Sequence, residues 1–183
     1  MKLDLAFWKN ASSKRKRIYS TIIILVIAVF FTVIGSLVQL SPQDAKQLTD
    51  SLNQTFPSNQ PSVTLAESIF LHNLSICLLL FVPVIGPILG FLSFFATGIV
   101  INAIANVQGY PSFLALLILA ITPHTWLEFA SSSIAITESV WLFRRLLQGR
   151  WRELKNTGIL IGLCTILLLV AAIVETWLIS LAG

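Results

Sequence analysis

The sequence is poor in charged side chains. Lysine and arginine account for 12 of its 183 residues and aspartate and glutamate for 8, so that 11% of the chain is charged, against roughly a quarter in a typical soluble domain. Hydrophobic residues make up 56% of the chain, and its mean hydropathy is +0.86. A soluble protein must cover most of its surface with polar groups. The composition therefore excludes soluble enzymes such as nucleases and kinases.

Cysteine and histidine are also scarce. The two cysteines, Cys77 and Cys164, both lie in apolar runs, and there are two histidines. These residues form neither a disulfide framework nor a CxxC metal motif. We therefore expect no secreted disulfide scaffold, no bound metal and no cofactor.

Five apolar runs are each long enough to cross roughly 30 Å of hydrocarbon as a helix. Such runs satisfy their backbone hydrogen bonds in lipid only as helices, and the short alternating strands of a transmembrane barrel are absent. We predict an all-α, polytopic transmembrane bundle that forms one membrane domain over residues 18–183. The predicted spans are residues 18–40, 65–84, 85–107, 111–136 and 158–181.

The basic residues predict the orientation of the bundle. Eleven of the twelve lie in residues 1–17 or 137–157, and with five spans both segments fall on one side of the membrane. Basic residues are retained on the cytoplasmic side, so we predict a cytoplasmic amino terminus, an outside carboxyl terminus and a multi-pass protein of the cell membrane. Only Lys46, in the loop 41–64, is then outside.

The net charge of +4 does not indicate nucleic-acid binding, because topology explains the basic residues and no basic motif with interleaved aromatics occurs. Two segments, Lys2 to Trp8 and Trp141 to Trp151, combine basic and aromatic residues. They can lie among anionic lipid headgroups, or they can be solvated topology signals. The lipid bilayer is the first expected partner.

The predicted outside loop, residues 41–64, contains a helix signal. Ser41 and Asp44 form a capping-box pattern, Pro42 suits the first helical position, and apolar residues follow at helical spacing. We expect a short amphipathic helix with its apolar side on the bundle or on the headgroups.

Polar residues recur along one face of the fourth predicted span. They begin at a proline, which removes a backbone hydrogen bond, and they comprise Pro123, His124, Glu128, Ser131 and Glu138. Ionisable groups at membrane depth are costly and often functional. His124 and Glu128 are four residues apart and can pair. The face could relay protons, hold a metal or line a substrate cavity, or it could be a hydrogen-bonded seam that locks helices together.

A second polar layer is predicted in the outer half of the bundle. It draws on the second, third and fifth spans and comprises His72, Asn73, Asn102, Asn106 and Glu175. These side chains could satisfy one another, either in a vestibule or as packing contacts.

Small residues predict close helix contacts. Spacings of four occur twice among the glycines of the third and fifth spans, which are Gly86, Gly90, Gly98, Gly158 and Gly162. Such stripes let helix backbones approach, either within the bundle or in an oligomer. A serine run at residues 131–133 raises the alternative of an intramembrane hydrolase, but no GxSxG elbow accompanies it, so we expect no enzymatic activity.

Several of these residues also carry a family likeness. Asn73-Leu74, Gly98 and the Pro123-His124-x-x-x-Glu128 element resemble the stage II sporulation protein M family of polytopic membrane proteins. The chain departs from the family pattern in having Thr97 before Gly98, Asn102 at a usual glycine, Thr125 after His124, and Phe129 in place of leucine.

This resemblance implies a non-enzymatic membrane component that organises or recruits other proteins. In spore-forming bacteria the family member is a scaffold that works with cell-wall hydrolases during engulfment, but relatives occur in organisms without spores, so sporulation does not carry over. We therefore expect a scaffold or accessory subunit with a membrane-protein partner or a second copy of itself. The alternative is a small transporter or ion-coupled channel component that uses His124 and Glu128.

Overall fold

The computed structural model describes residues 12–57, 60–149 and 153–182. This part of the chain contains helices and no strands, which confirms the predicted all-α class. The helices are α1 (Ser13–Ser36), α2 (Pro42–Thr55), α3 (Ser62–Leu80), α4 (Ile85–Gln108), α5 (Ser112–Ile121), α6 (Pro123–Leu147) and α7 (Glu153–Ala182). The predicted interfacial segment Lys2 to Trp8 lies outside the described residues, as does Trp151 at the end of the second one.

Four helices are long and apolar enough to cross a membrane, and the bent pair α5 and α6 raises the number to five if it forms one span. The four are Lys14–Ser36, Ser62–Leu80, Ile85–Gln108 and Leu154–Leu181. The chain is therefore a multi-pass membrane protein, as predicted. Which side each terminus occupies stays a prediction.

The helices pack around a core of small, aliphatic and phenylalanine side chains. α1 lies along α4 and also contacts α6, while α7 packs between α3 and α6. Ile136 of α6, Leu80 of α3 and Leu168 of α7 are at most 2% exposed and meet in this core. Large aliphatic side chains cover the outside of the bundle, as expected where lipid rather than water is the solvent.

The backbones of α1 and α4 are in close contact at Gly35 and Gly98. A Cβ atom on Gly35 would overlap the carbonyl oxygen of Phe95, and one on Gly98 would overlap that of Thr32. Neither position has room for a side chain. Because the two backbones touch, their association rests on van der Waals contact over a long stretch.

The other four glycines predicted to pack helices fall into two groups. Gly86 and Gly90 are buried, and added Cβ atoms would meet the Leu80 carbonyl and the Ile136 side chain. Gly158 and Gly162 are exposed on α7, with no described atom within 4 Å of an added Cβ. The α7 glycines therefore do not pack helices within the described part of the chain.

A tight turn joins α3 to α4. Val84 has φ 71° and ψ −49°, and the Ile85 amide donates to the Pro83 carbonyl at 2.9 Å, which closes a three-residue γ-turn. This conformation is rare and strained for a β-branched residue. The hydroxyl of Ser139 in α6 donates to the Val82 carbonyl at 2.7 Å and so ties the turn to the bundle.

The fourth predicted span, residues 111–136, is two helices rather than one kinked helix. α5 ends at Ile121 and α6 begins at Pro123, with an angle of 83° between them. Proline at the first helical position needs no amide donor, so it starts α6 instead of interrupting it. The Trp126 indole donates to the Ala120 carbonyl at 2.9 Å, and the Thr122 hydroxyl donates to Leu119 at 2.8 Å. These two bonds give donors to carbonyl groups at the end of α5, next to the break before Pro123.

The helix signal in residues 41–64 corresponds to α2. The Ser41 hydroxyl accepts from the Asp44 amide at 3.1 Å, as the capping pattern predicts, and Pro42 is the first helical residue. Ala45 is fully buried where α2 packs on α4. The apolar side of α2 therefore lies on the bundle.

Candidate functional site

A polar pocket lies where the end of α2 meets α3, α6 and α7. Its volume is about 290 Å³. Two glutamates belong to it, and we call it the carboxylate pocket. It is lined by Phe56, Leu65, Ile69, His72, Asn73, Glu128, Glu175 and Ile179.

The pocket is organised by a bond between α3 and α6. The Asn73 side-chain amide donates a short hydrogen bond to Oε1 of Glu128 at 2.6 Å. His72, the preceding residue, lies edge-on to the ring of Phe56 at 5.3 Å between ring centroids. The α2 helix thus contributes an apolar wall beside the polar groups.

The electrostatics of the carboxylate pocket favour a cation. Glu128 and Glu175 line the same small volume, and two ionised carboxylates in a partly buried site would repel strongly because water screens them little. A positively charged ligand between them would relieve that repulsion. The described residues contain no group of three or more histidine, cysteine or acidic side chains placed to hold a metal ion.

The residues of the predicted α6 face do not share one site. Glu128 lines the carboxylate pocket, but Nδ1 of His124 is buried without a hydrogen-bond partner among the described residues. Glu128 is hydrogen-bonded to Asn73 rather than to His124. One turn further on, Ser131 is fully buried and donates to the Leu127 carbonyl at 2.7 Å. Its own carbonyl accepts from Cys164 Sγ at 3.5 Å, so this turn packs α6 against α7.

Glu138, at the far end of the predicted face, belongs to a second site. Its side chain is 1% exposed and forms an ion pair with Arg17 of α1, with 3.3 Å between Oε2 and the guanidinium nitrogen. The Thr157 hydroxyl of α7 donates to Oε1 at 2.8 Å. A buried carboxylate with both oxygens engaged is a structural tie between three helices.

Arginine side chains also surround Trp141 near this second site. The guanidinium groups of Arg17, Arg144 and Arg145 lie 5.8, 6.0 and 5.6 Å from the centre of the indole ring. Such distances allow cation–π attraction. Three positive charges from α1 and α6 thus gather at one end of the bundle.

The members of the predicted outer layer separate in the same way. His72, Asn73 and Glu175 line the carboxylate pocket, where Glu128 joins them. Asn102 instead donates to the Val38 carbonyl and accepts from the Ser112 hydroxyl at 2.5 Å, so that it ties α4 to α5 and to the end of α1. Asn106 is exposed on α4.

Sequence reasoning missed Phe56 as part of the carboxylate pocket, and it missed Arg17 and Thr157 as partners of Glu138. Arg17 is the last basic residue before the first span, and Thr157 is the last polar side chain before the fifth. Both residues lie at the polar ends of apolar runs. This position could have identified them as partners of Glu138, because a glutamate at the end of a neighbouring span needs polar partners.

Comparison with known proteins gives one match. No curated protein and no solved structure is significantly similar to the chain. The sequence profile of a family described as Stage II sporulation protein M matches residues 21–178, which is most of the chain. The match includes Asn73, Glu128 and Glu175 of the carboxylate pocket as well as the ion-paired Glu138. The chain therefore belongs to the stage II sporulation protein M family.

Proposed function

We propose that this protein is a non-enzymatic scaffold or accessory subunit of a membrane-protein complex in the cell membrane. The observation that carries the proposal is the open face of α7 around Gly158 and Gly162. A second membrane-embedded helix, from another protein or from a second copy of the chain, would pack there.

The contrast among the glycines supports this function. Gly35, Gly86, Gly90 and Gly98 all lie against another helix, and added Cβ atoms there would meet its atoms. The two α7 glycines have the same four-residue spacing as Gly86 and Gly90, but no atom of the described residues lies within 4 Å of an added Cβ. Association of helices in lipid depends on close backbone approach rather than on a hydrophobic driving force. An unoccupied glycine pair is therefore suited to a further helix.

The neighbouring side chains fit a helix-sized contact. Ile166 is 62% exposed and Leu169 46% exposed, and both continue the glycine face along α7 at helical spacing. A partner helix could place its own side chains over the glycines and between these two residues. The contact would then extend over about three turns.

Gentle solubilisation of native membranes tests the proposal. We expect the wild-type chain to migrate in a stoichiometric complex, and Gly162→Leu to release it by blocking the approach of the second helix. Ala96→Leu is the matched control, because Ala96 is an exposed small residue on α4, away from this face. Isolation of the wild-type chain as a lone monomer, or equal effects of the two variants, would contradict the proposal.

A second candidate function, ion-coupled transport, is favoured by the carboxylate pocket. Two glutamates, an asparagine and a histidine at the end of a membrane bundle form a cation-attracting site. Beyond this pocket lies a layer of tightly packed side chains. It includes Cys77, Cys164 and Ile136, each of which is at most 1% exposed. Transport would require the helices to move apart there.

Reconstituted vesicles separate this candidate from the scaffold. Transport predicts a cation flux from the wild-type chain that Glu128→Gln abolishes, with Asn106→Ala as a control outside the pocket. A scaffold produces no flux in either case. Flux that survives Glu128→Gln would exclude the carboxylate pocket as the transport site.

A further inference from the structure

A large cavity lies at the end of the bundle where α1 and α7 begin and α6 ends. Its volume is about 800 Å³, within the range of ligand sites in proteins. We call it the arginine cavity. Its lining includes Lys14, Arg17, Ile22, Glu138, Arg145 and Leu163.

The lining changes from polar to apolar along each of the three helices. On α1, Lys14 is followed at spacings of four by Ile18 and Ile22, which therefore share its face. On α7, Asn156 is followed by Leu163, two turns deeper. Ile22 is eight residues after Lys14, which corresponds to a rise of about 12 Å along α1. The cavity thus has a polar end and an apolar part, which together suit an amphiphilic ligand.

The polar end carries an excess of positive charge. Three cationic side chains, Lys14, Arg17 and Arg145, line it together with one carboxylate, Glu138. That carboxylate already accepts from Thr157 and pairs with Arg17.

Two of these cations also lie beside Trp141. Arg17 and Arg145 are both within 6 Å of its ring centre, so two like charges are placed around one indole ring. An anionic group entering here would reduce the repulsion and accept charge-assisted hydrogen bonds from guanidinium groups.

We propose that the arginine cavity binds one anionic phospholipid. Its phosphate lies at the cationic side chains, and an acyl chain runs along the isoleucines and leucines of α1 and α7. Charge selects the class of ligand, because a zwitterionic lipid would bring its own cation to a site with net positive charge. The apolar part of the cavity favours a lipid over a free anion. Ile18 and Ile22 are exposed there, and a hydrocarbon chain can pack against them whereas a free anion cannot.

Native mass spectrometry of the purified full chain tests the proposal. In nanodiscs that contain equal amounts of phosphatidylglycerol and phosphatidylcholine, the wild-type chain should retain one phosphatidylglycerol molecule. The double variant Lys14→Gln/Arg145→Gln should weaken this binding by roughly 30-fold, since each basic residue near a lipid surface contributes about 1 kcal/mol. Equal retention of the two lipids by the wild-type chain would overturn the proposal.

A matched double variant separates the cavity from general surface charge. Arg15 and Lys155 are exposed at the same end of the bundle but do not line the cavity. Arg15→Gln/Lys155→Gln removes the same charge, and we expect phosphatidylglycerol binding within threefold of wild type. If both double variants weaken binding equally, the attraction belongs to the surface and the cavity site is refuted.

The apolar half of the cavity has its own control pair. Ile22 and Ile23 are 52% and 53% exposed, but only Ile22 lines the cavity. Ile22→Trp should fill the acyl-chain path and reduce phosphatidylglycerol retention at least tenfold, while Ile23→Trp should leave it unchanged. Inorganic phosphate and glycerol phosphate should not compete at millimolar concentration. Full displacement by either of them, with no effect of Ile22→Trp, would identify a free-anion site and overturn the lipid proposal.

Discussion

The Asn73 amide donates a 2.6 Å hydrogen bond to the Glu128 carboxylate and so joins α3 to α6 across 55 residues of sequence. The bond fixes one oxygen of a glutamate that shares its pocket with Glu175. It lies in a bundle whose apolar surface elsewhere offers few donors. Loss of this bond would therefore affect both the packing of α3 on α6 and the position of a carboxylate in the pocket.

Loss of the Asn73 donor should destabilise the bundle. Asn73→Ala leaves Oε1 of Glu128 without its donor, and we expect the free energy of unfolding to fall by about 2 kcal/mol, as for a buried acceptor left unpaired. Denaturant titration in mild detergent measures the change. Asn106→Ala, at an exposed asparagine, should cost less than about 0.5 kcal/mol. Additive losses in Asn73→Ala and Glu128→Gln would show that the two residues are not coupled.

The ion pair of Arg17 with Glu138 should be sensitive to loss of either partner. Glu138 is 1% exposed, so Arg17→Leu leaves its charge buried and should cost about 3 kcal/mol in unfolding free energy. The double variant Arg17→Leu/Glu138→Leu removes both charges and should recover most of that loss. Thermal unfolding of the purified chain provides the comparison, and a double variant that is less stable than both single variants would refute the coupling.

The contact between α1 and α4 should tolerate no side chain at Gly98. Gly98→Leu pushes against the backbone of α1, so we expect a loss of at least about 3 kcal/mol or failure to fold. Gly162→Leu is the matched change on α7, where no described atom is close, and it should leave thermal stability within about 0.5 kcal/mol. Equal thermal stability of the two variants would contradict the close contact.

The strained turn at Val84 should become more stable with glycine. Val84→Gly removes the steric conflict at φ 71°, and we expect a gain of about 1 kcal/mol despite the greater freedom of glycine in the unfolded chain. Val82→Gly, in the same turn but without positive φ, should instead be neutral or destabilising. The melting temperatures of the two variants test this, and destabilisation by Val84→Gly would refute the strain.

The predicted orientation can be tested at α2. Asn53 is exposed on this helix, and both native cysteines are 1% exposed, so background labelling should be low. If the amino terminus is cytoplasmic, Asn53→Cys should react with a membrane-impermeant thiol reagent in intact cells. Labelling only after the cells are opened would reverse the orientation.

The membership of the carboxylate pocket shows where sequence reasoning reaches its limit. Helical spacing placed Glu128 on one face with His124 and Ser131 in a single span. The 83° bend at Thr122 divides that span, because α5 does not extend the axis of α6. Glu128 can then meet Asn73, and Glu138 meets Arg17 in a different site.

The sequence by itself determined the helical class, the approximate spans, the helix in residues 41–64 and the family. These follow from local properties: apolar run length, a capping pattern and short motifs. Only the tertiary structure decided which polar residues meet, and which glycines are covered, as Gly98 is and Gly162 is not. The reason is that helix rotation and the bend before Pro123 set these contacts, and both depend on packing across the whole bundle rather than on neighbours in sequence.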